Sequence, residues 1–342
     1  LDPNSGERYS QRDHKKPPIG AKIPDGPVRR GFDYYHGFHH ARHMEAVIEN
    51  DRVIEHDQVI NMLPRLTKKS VEFIARQAGR KSPFFLYVPL SSYEEASGAR
   101  PDAECCKFRG SVVALDAATG DVAWQTYTIA EEPSPRKKNK HGVQQWGPSG
   151  AAIWSAPTID RKLGLLYVTT GDNYSDPPTK TSDAMMALDL EDGSIVWSRQ
   201  FTPADAYNMA CGARRDSANC PESNGPDFDF GSSAILRELP DGKRVLVAGQ
   251  KSGWVHAVDP DRDGEILWQQ QAGEGGVLGG VQFGSAADEE RVYVAVSDLR
   301  FGQGGVLPTE GGGVTAYDLA TGEQIWSTDA GDCEGRQRCA PG

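Results

Sequence analysis

Cys105 and Cys106 are adjacent. Neighbouring Cα atoms lie about 3.8 Å apart, below the roughly 4.4–6.8 Å of ordinary disulfides, so a bond between them closes a strained, flat, apolar ring. A reduced buried pair is the alternative. The other four cysteines fall as Cys211/Cys220 and Cys333/Cys339, each pair closing a short loop. An even count with local pairs fits an oxidising compartment. His36, His39, His40 and His43 recur at spacings of three and four. On a helix these would gather zinc ligands on one face; otherwise they are an aromatic–histidine surface stretch. Only His141 and His256 lie in the cysteine-bearing part, which argues against a mixed Cys/His metal site there. No Cys-x-x-Cys-His is present, so no c-type haem is expected.

The elements that must position such groups announce themselves as a repeat. An apolar strand ends in Asp, a turn carries Gly, and the next strand carries Trp. The copies run from Val112 to Asp116 and Trp124, Met185 to Asp189 and Trp197, Val255 to Asp259 and Trp268, and Val314 to Asp318 and Trp326. The Asp-to-Asp spacings are 73, 70 and 59 residues. A fixed phrase at long intervals marks a stack of equivalent units. Physically it is a hairpin: the Asp side chain caps the turn, and Gly120, Gly193, Gly264 or Gly322 supplies the positive φ. Further strands lie upstream at Leu165–Thr169, Val245–Ala248 and Val292–Ala295, and Ser155–Asp160 is echoed by Gly284–Asp288. Four short strands per unit make a propeller blade. The spacing implies inserted loops, and the alternative is a β-sandwich.

Residues 1–92 share nothing with this repeat and carry a net positive charge, whereas the remainder holds the acidity behind the overall −11. The segment opens polar and Pro-rich to Pro27. A helix is expected with Thr67 as N-cap, Val71, Phe73, Ile74 and Ala78 as its apolar face and Gly79 as its stop, followed by a buried strand at Phe84–Leu90. Gly31-Phe32-Asp33 with its aromatic run, that helix, and Ser82-Pro83-Phe84-Phe85-Leu86-Tyr87-Val88-Pro89-Leu90-Ser91-Ser92 resemble the middle of an arylsulfatase-type sulfatase. The family's catalytic motifs are absent: Tyr93-Glu94 stand where its Pro-His pair would, and no Cys precedes residue 105. One helix and one strand are too little for an intact domain.

Ser91-Ser92-Tyr93-Glu94-Glu95, Glu104–Ser111, Trp146-Gly147-Pro148-Ser149-Gly150, Thr170-Gly171-Asp172-Asn173-Tyr174 and Asp227-Phe228-Asp229-Phe230-Gly231-Ser232 resemble pyrroloquinoline-quinone (PQQ) dehydrogenases, and within them the polyvinyl-alcohol dehydrogenase subgroup. The resemblance spans roughly residues 88–342. It implies an eight-bladed fold, PQQ, Ca²⁺, an alcohol substrate, an external electron acceptor such as a cytochrome c, and a periplasmic or secreted location. It gives Asp229 the role of the base that removes the alcohol proton, because a carboxylate must take that proton as hydride leaves. Glu95, Asn173 and Asp229 itself become calcium ligands, since hard cations take oxygen donors; Asn173 serves equally as a turn residue. Lys251 becomes the cation on the quinone oxygens, and Arg109 forks onto a cofactor carboxylate. Cys105–Cys106 resembles the ring that caps the quinone, although in relatives the pair precedes the calcium-binding Glu and here it follows Glu95.

The expected architecture is therefore mainly β: a partial β-propeller over residues 87–342, about half of an eight-bladed ring, preceded by a short α/β fragment over 1–86. The two families meet in the run Tyr87–Ser92, which suits both. As a blade strand, Tyr87–Leu90 is expected to pair with Val112–Ala114. The negative charge disfavours nucleic acid. The sequence has no signal-peptide pattern and no membrane-length apolar run, and because Leu1 is not a start residue a start upstream is expected. A half-ring is expected to be an impaired enzyme; the alternative is a non-catalytic binding scaffold.

Overall fold

Alternating apolar residues make strands with two usable faces, and in this chain such strands form stacked four-stranded sheets. The computed structural model describes residues 17–24, 26–29, 31–40, 43–58, 61–78, 101–116, 119, 121–212, 217–298, 300–302, 305–307 and 312–329. Two compact units are present: residues 1–93 with 115–122, and residues 94–114 with 123–342.

In the first unit, β1 (His36–His40), β2 (His43–Glu49) and β3 (Arg52–His56) form an antiparallel meander, followed by α1 (Met62–Ala78). Ala21, Ala46, Ile48 and Val53 form a small core, and Val47 packs with Met62. The helix starts at Met62 rather than near Thr67. Pro64 is no obstacle there, because the first turn of a helix has no intrahelical use for its N–H groups. The histidine spacing read as helical falls on strands β1 and β2, where side chains alternate between faces. The His36 side chain is buried, with Nδ1 3.8 Å from Glu49. Burial and the nearby Lys69 hold its pKa down. The expected strand at Phe84–Leu90, its pairing with Val112–Ala114, Gly79 and Gly120 lie outside the described residues.

After α1 come β4 (Ser111–Leu115) and β5 (Val122–Tyr127), then β6 (Ser134–Lys138), β7 (Gln144–Gly147) and β8 (Ser149–Gly150). Next come β9 (Thr158–Asp160), β10 (Leu165–Thr169), β11 (Asn173–Ser175), β12 (Ala184–Asp189) and β13 (Ile195–Gln200). They are followed by β14 (Ile235–Glu238), β15 (Arg244–Gly249), β16 (Trp254–Asp259) and β17 (Glu265–Gln271). The described part ends with β18 (Ser285–Ala287), β19 (Arg291–Val296), β20 (Arg300–Gly302), β21 (Gly305–Leu307), β22 (Gly313–Asp318) and β23 (Gln324–Asp329). Three four-stranded antiparallel sheets result, β9-β10-β12-β13, β14-β15-β16-β17 and β18-β19-β22-β23. Among the described residues these blades do not close a ring. The expectation of a mainly-β partial propeller holds.

The hairpin repeat is visible atom by atom. Asp189 accepts from Glu191 N at 2.7 Å, Asp259 from Asp261 N at 2.9 Å, and Asp318 from Thr321 N at 2.8 Å. Gly193, Gly264 and Gly322 have φ of 76°, 68° and 75°. A bulge puts each Trp opposite the same strand position: Ala187↔Trp197, Ala257↔Trp268, Ala316↔Trp326. The indoles of Trp124, Trp197 and Trp268 lie over the turn glycine of the next hairpin. A Cβ on Gly264 would come within 2.8 Å of Trp197, and one on Gly322 within 2.6 Å of Trp268. Trp124 Nε1 donates to Leu190 O at 3.2 Å and Trp268 Nε1 to Leu319 O at 3.0 Å. The Asp259 turn is one residue longer and winds a 3₁₀ turn, Pro260–Arg262. There the arriving Trp197 Nε1 has no hydrogen-bond partner among the described residues. Arg244 bridges the same two blades instead, pairing with Asp160 of the preceding sheet and Asp261 of the long turn.

Packing follows the period of two. Tyr167, Met185 and Ala187 on one face of the first sheet pack with Phe230, Leu246 and Val258 of the second. Val245, Val247 and Trp268 on the second sheet's other face meet Val292, Val294 and Tyr317 of the third. Strands buried on both faces, such as β10 and β15, therefore read as continuous apolar runs.

Candidate active site

Three connections bring charge together inside this apolar stack: Thr170–Asp172 after β10, Asp227–Gly231 before β14, and Gln250–Gly253 after β15. Lys251 Nζ donates to Asp229 Oδ2 at 2.5 Å and to Asp227 Oδ1 at 2.9 Å. Asp229 Oδ1 accepts from the backbone N–H of Asp172 at 2.7 Å. Lys251 N donates to Asp229 O at 3.0 Å, so both backbones are tied as well. Asp205 builds the bend that presents the two acids: its oxygens accept from Asp227 N at 3.2 Å and Phe228 N at 2.9 Å, and Asp227 takes a left-handed φ of 62°. Gly171 must be glycine, because a Cβ there would overlap Asp229 Oδ1. Trp154, 45% exposed, places its ring centroid 4.7 Å from Lys251 Nζ and gives the buried ammonium a flat aromatic neighbour open to solvent.

Asp172, Asp227 and Asp229 are all buried, and one oxygen of each lies within 4.8 Å of the others. Desolvation opposes charge on every one of them. Burial, then the carboxylates of Asp229 and Asp227, push the Asp172 pKa far up. Burial and Asp229 raise Asp227 to about 9 against the pull of Lys251. Asp229 is also opposed by burial, yet the Lys251 charge and the hydrogen bonds it accepts hold it below the usual carboxylate range. Lys251 is raised in turn, its two carboxylates outweighing burial. Asp183 is fully buried, and neither of its oxygens meets a hydrogen-bond partner within bonding geometry among the described residues; burial and the charges of Asp229 and Asp205 raise its pKa strongly. One ammonium cannot neutralise such a group. The donor set is all oxygen and triply acidic, which fits a hard cation such as Ca²⁺.

Of the residues expected from the sequence, Asp229 and Lys251 meet directly. Asn173 is spent on its loop: its Oδ1 accepts from Thr179 N at 2.7 Å and its Nδ2 donates to Ser149 O at 3.1 Å. The carboxylate that joins the pair is its neighbour Asp172. Arg109 stacks on Tyr127, 3.9 Å from the ring centroid, and donates to Ile129 O at 3.1 Å. Its guanidinium is thus occupied within its own blade. Cys105 and Cys106 form a vicinal disulfide, buried where Cys105 bridges to Gln145. Cys211 and Cys220 are also bonded. Glu95 and the Cys333/Cys339 pair lie outside the described residues. The sequence reading passed over Asp172, Asp183, Asp205, Asp227 and Trp154. Asp227 had a signal, the Asp-x-Asp spacing; Asp172, Asp183 and Asp205 are turn-type acids whose burial only the fold reveals, and Trp154 is an exposed aromatic that only the fold brings to Lys251.

Comparison with known proteins supplies independent findings. Residues 96–214 match the family model described as glucose/ethanol/alcohol dehydrogenase, beta-propeller domain, of the PQQ type. Residues 251–336 match that of outer membrane protein assembly factor BamB. A polyvinylalcohol dehydrogenase from a Pseudomonas species is 49% identical over 245 residues, covering 72% of this chain and 37% of that protein. One from Sphingopyxis sp. strain 113P3 is 45% identical over 243 residues, covering 71% and 37%. The chain thus spans little more than a third of the length of these relatives. Among solved structures, quinohemoprotein alcohol dehydrogenase from Comamonas testosteroni overlaps 66% of this chain and 43% of its own at 16% identity and a TM-score of 0.44. The sulfatase resemblance of residues 1–92 finds no support in these matches.

Proposed function

We propose that this chain, which carries a PQQ-dependent alcohol dehydrogenase-like domain, holds the cation-and-base part of a PQQ-dependent alcohol oxidation site. The carrying observation is the buried cluster of Asp172, Asp227 and Asp229 around Lys251. Three carboxylates facing one ammonium make a site that a divalent cation completes. Asp172, Asp227 and Asp229 hold Ca²⁺, with Glu95 a further ligand. Lys251 holds positive charge against the quinone oxygens, and the open face of Trp154 receives a flat ring. When bound, PQQ supplies the electrophilic carbonyl that accepts the hydride.

The Asp227/Asp229 pair takes the hydroxyl proton. Asp229 carries the base role as the member that Lys251 keeps ionised, and the two titrate as one coupled unit. The apolar blade faces around the cluster exclude water, which strengthens each electrostatic contact. The substrate is a secondary or polymeric alcohol, as the names of the two dehydrogenase relatives suggest. An external acceptor such as a cytochrome c takes the electrons. Two disulfides among the described residues fit a periplasmic or secreted location. No helix among them is long and apolar enough to cross a membrane.

Reconstitution with PQQ and Ca²⁺ tests the reading, followed by quinone absorbance and by dye-linked oxidation of simple and polymeric secondary alcohols. Ca²⁺-dependent PQQ binding that is lost in Lys251→Ala supports it. PQQ binding indifferent to both would sink it. The BamB match over residues 251–336 favours a second reading, a non-catalytic propeller scaffold, in which neither PQQ nor Ca²⁺ binds.

A further inference from the structure

The turn that carries Lys251 is gripped from below by a buried polar chain. His256 on β16 is 4% exposed, with its ring 4.2 Å from that of Phe201 and 5.6 Å from that of Phe230. Gln269, its cross-strand neighbour on β17, places an amide nitrogen 2.7 Å from Nδ1. On the other side, Nε2 lies 3.4 Å from Gln250 Oε1. Gln250 Oε1 also accepts from Ser252 Oγ at 2.7 Å, while its own Nε2 donates to Thr202 Oγ1 at 3.1 Å. Gln250 and Ser252 flank Lys251 directly.

With the amide nitrogen of Gln269 facing Nδ1, these contacts define the protons. The Gln269 amide donates to Nδ1, so the ring proton sits on Nε2 and points at Gln250 Oε1. Burial lowers the His256 pKa to about 3, which keeps the ring neutral and the tautomer fixed. A residue at this position that only filled space between two phenylalanines would need no nitrogen.

We propose that His256 is a positioning residue: its imidazole, oriented by Gln269, locks the Gln250–Ser252 turn and thereby holds Lys251 against Asp227 and Asp229. The inference rests on the reading of Lys251 as the cofactor-facing cation, but its first two tests do not.

In chain labelled with ¹⁵N-histidine, His256 should appear as the neutral Nε2–H tautomer at pH 7 and stay neutral to pH 4. An Nδ1–H tautomer overturns the proposal. Hydrogen–deuterium exchange then compares His256→Phe with His256→Gln. Phe fills the space but has no donor, so amides of the 250–253 turn should exchange about fivefold faster, the cost of one lost hydrogen bond. Gln keeps a donor and should restore most of the protection, while β10 and β12 stay unchanged in both. Unchanged turn exchange in His256→Phe, or equal acceleration throughout the unit, overturns the proposal. If His256→Phe does not fold, His256→Gln and the tautomer decide. PQQ affinity, read by tryptophan quenching with Ca²⁺ present, separates the two readings. Loss in Lys251→Ala without loss in His256→Phe refutes the role of His256 alone. No loss in Lys251→Ala refutes the site itself.

Discussion

Replacing Asp229 by Asn changes one atom at the centre of the cluster, and the consequences can be worked through. Asp229 accepts on both oxygens, from Asp172 N at 2.7 Å and from Lys251 Nζ at 2.5 Å. An amide has one oxygen. Whichever way it is turned, its NH₂ faces either the Lys251 ammonium or the Asp172 N–H, donor against donor, in a site that is 1% exposed. Leaving a buried donor unmatched costs about 1–3 kcal/mol, and breaking a buried ion pair about 3–5 kcal/mol. Two things offset this. Asp227 remains on Lys251 at 2.9 Å, and the crowding of Asp172 and Asp227 by a third carboxylate is relieved. The net loss is therefore nearer the first figure, about 1–3 kcal/mol, or roughly 2–12 °C in Tm for a unit of this size. Turnover should suffer more. An amide cannot take the alcohol proton, and loss of a general base costs about 10²–10⁴ in rate, with PQQ affinity changed much less. Melting followed by circular dichroism, PQQ titration by tryptophan quenching, and dye-linked oxidation after reconstitution measure the three quantities separately. Turnover in Asp229→Asn within threefold of the parent would refute the base assignment. If Asp227→Asn instead removed turnover, the proton would belong to the other member of the pair.

Gly171→Ala should disturb the same carboxylate without touching its charge, because the added methyl overlaps Asp229 Oδ1 and lies 3.2 Å from Trp154 Nε1; Ca²⁺ affinity measured by calorimetry should fall at least tenfold, and an unchanged affinity would remove Asp229 from the ligand set. Stability without Ca²⁺ should decline as pH rises from about 4 towards 9, because Asp227 is raised to about 9, and Asp172 and Asp183 are raised, in the folded state, against about 3.9 unfolded. The depressed Asp229 works the other way, its stabilisation present above about 4 and lost as pH falls through its folded value. Added Ca²⁺ should flatten the alkaline decline in urea titrations; a decline insensitive to Ca²⁺ counts against a cation site. Trp268→Phe should cost about 1 kcal/mol more than Trp197→Phe, since Trp268 Nε1 has an acceptor in Leu319 O and Trp197 Nε1 has none among the described residues; equal losses in chemical denaturation would show that the indole bond contributes nothing.

The sequence alone determined whatever is local. An Asp at a strand end caps its own turn through backbone amides two or three residues on, and Gly at a positive φ follows from that turn, so the four hairpins and their Trp offsets were legible without any neighbour. The pairing of Cys211 with Cys220 was legible for the same reason, a short loop closing on itself. Asp229 and Lys251 were reached through motif resemblance, since their 22-residue separation carries no local signal. Tertiary structure decided the rest. His36, His40 and His43 have helical spacing yet lie in strands, because the meander β1–β3 has a core to cover and α1 does not begin until Met62. Asn173 and Asp172 are adjacent and both plausible ligands by type; the loop consumes one amide and turns the other carboxylate inward. Arg109 suits a cofactor carboxylate chemically, but Tyr127 and the Ile129 carbonyl occupy it first. Burial of an acid depends on how sheets stack many residues apart. Asp172, Asp183 and Asp227 therefore look like ordinary turn residues in one dimension; only in three are all of them desolvated, with Asp172 and Asp227 gathered beside Asp229.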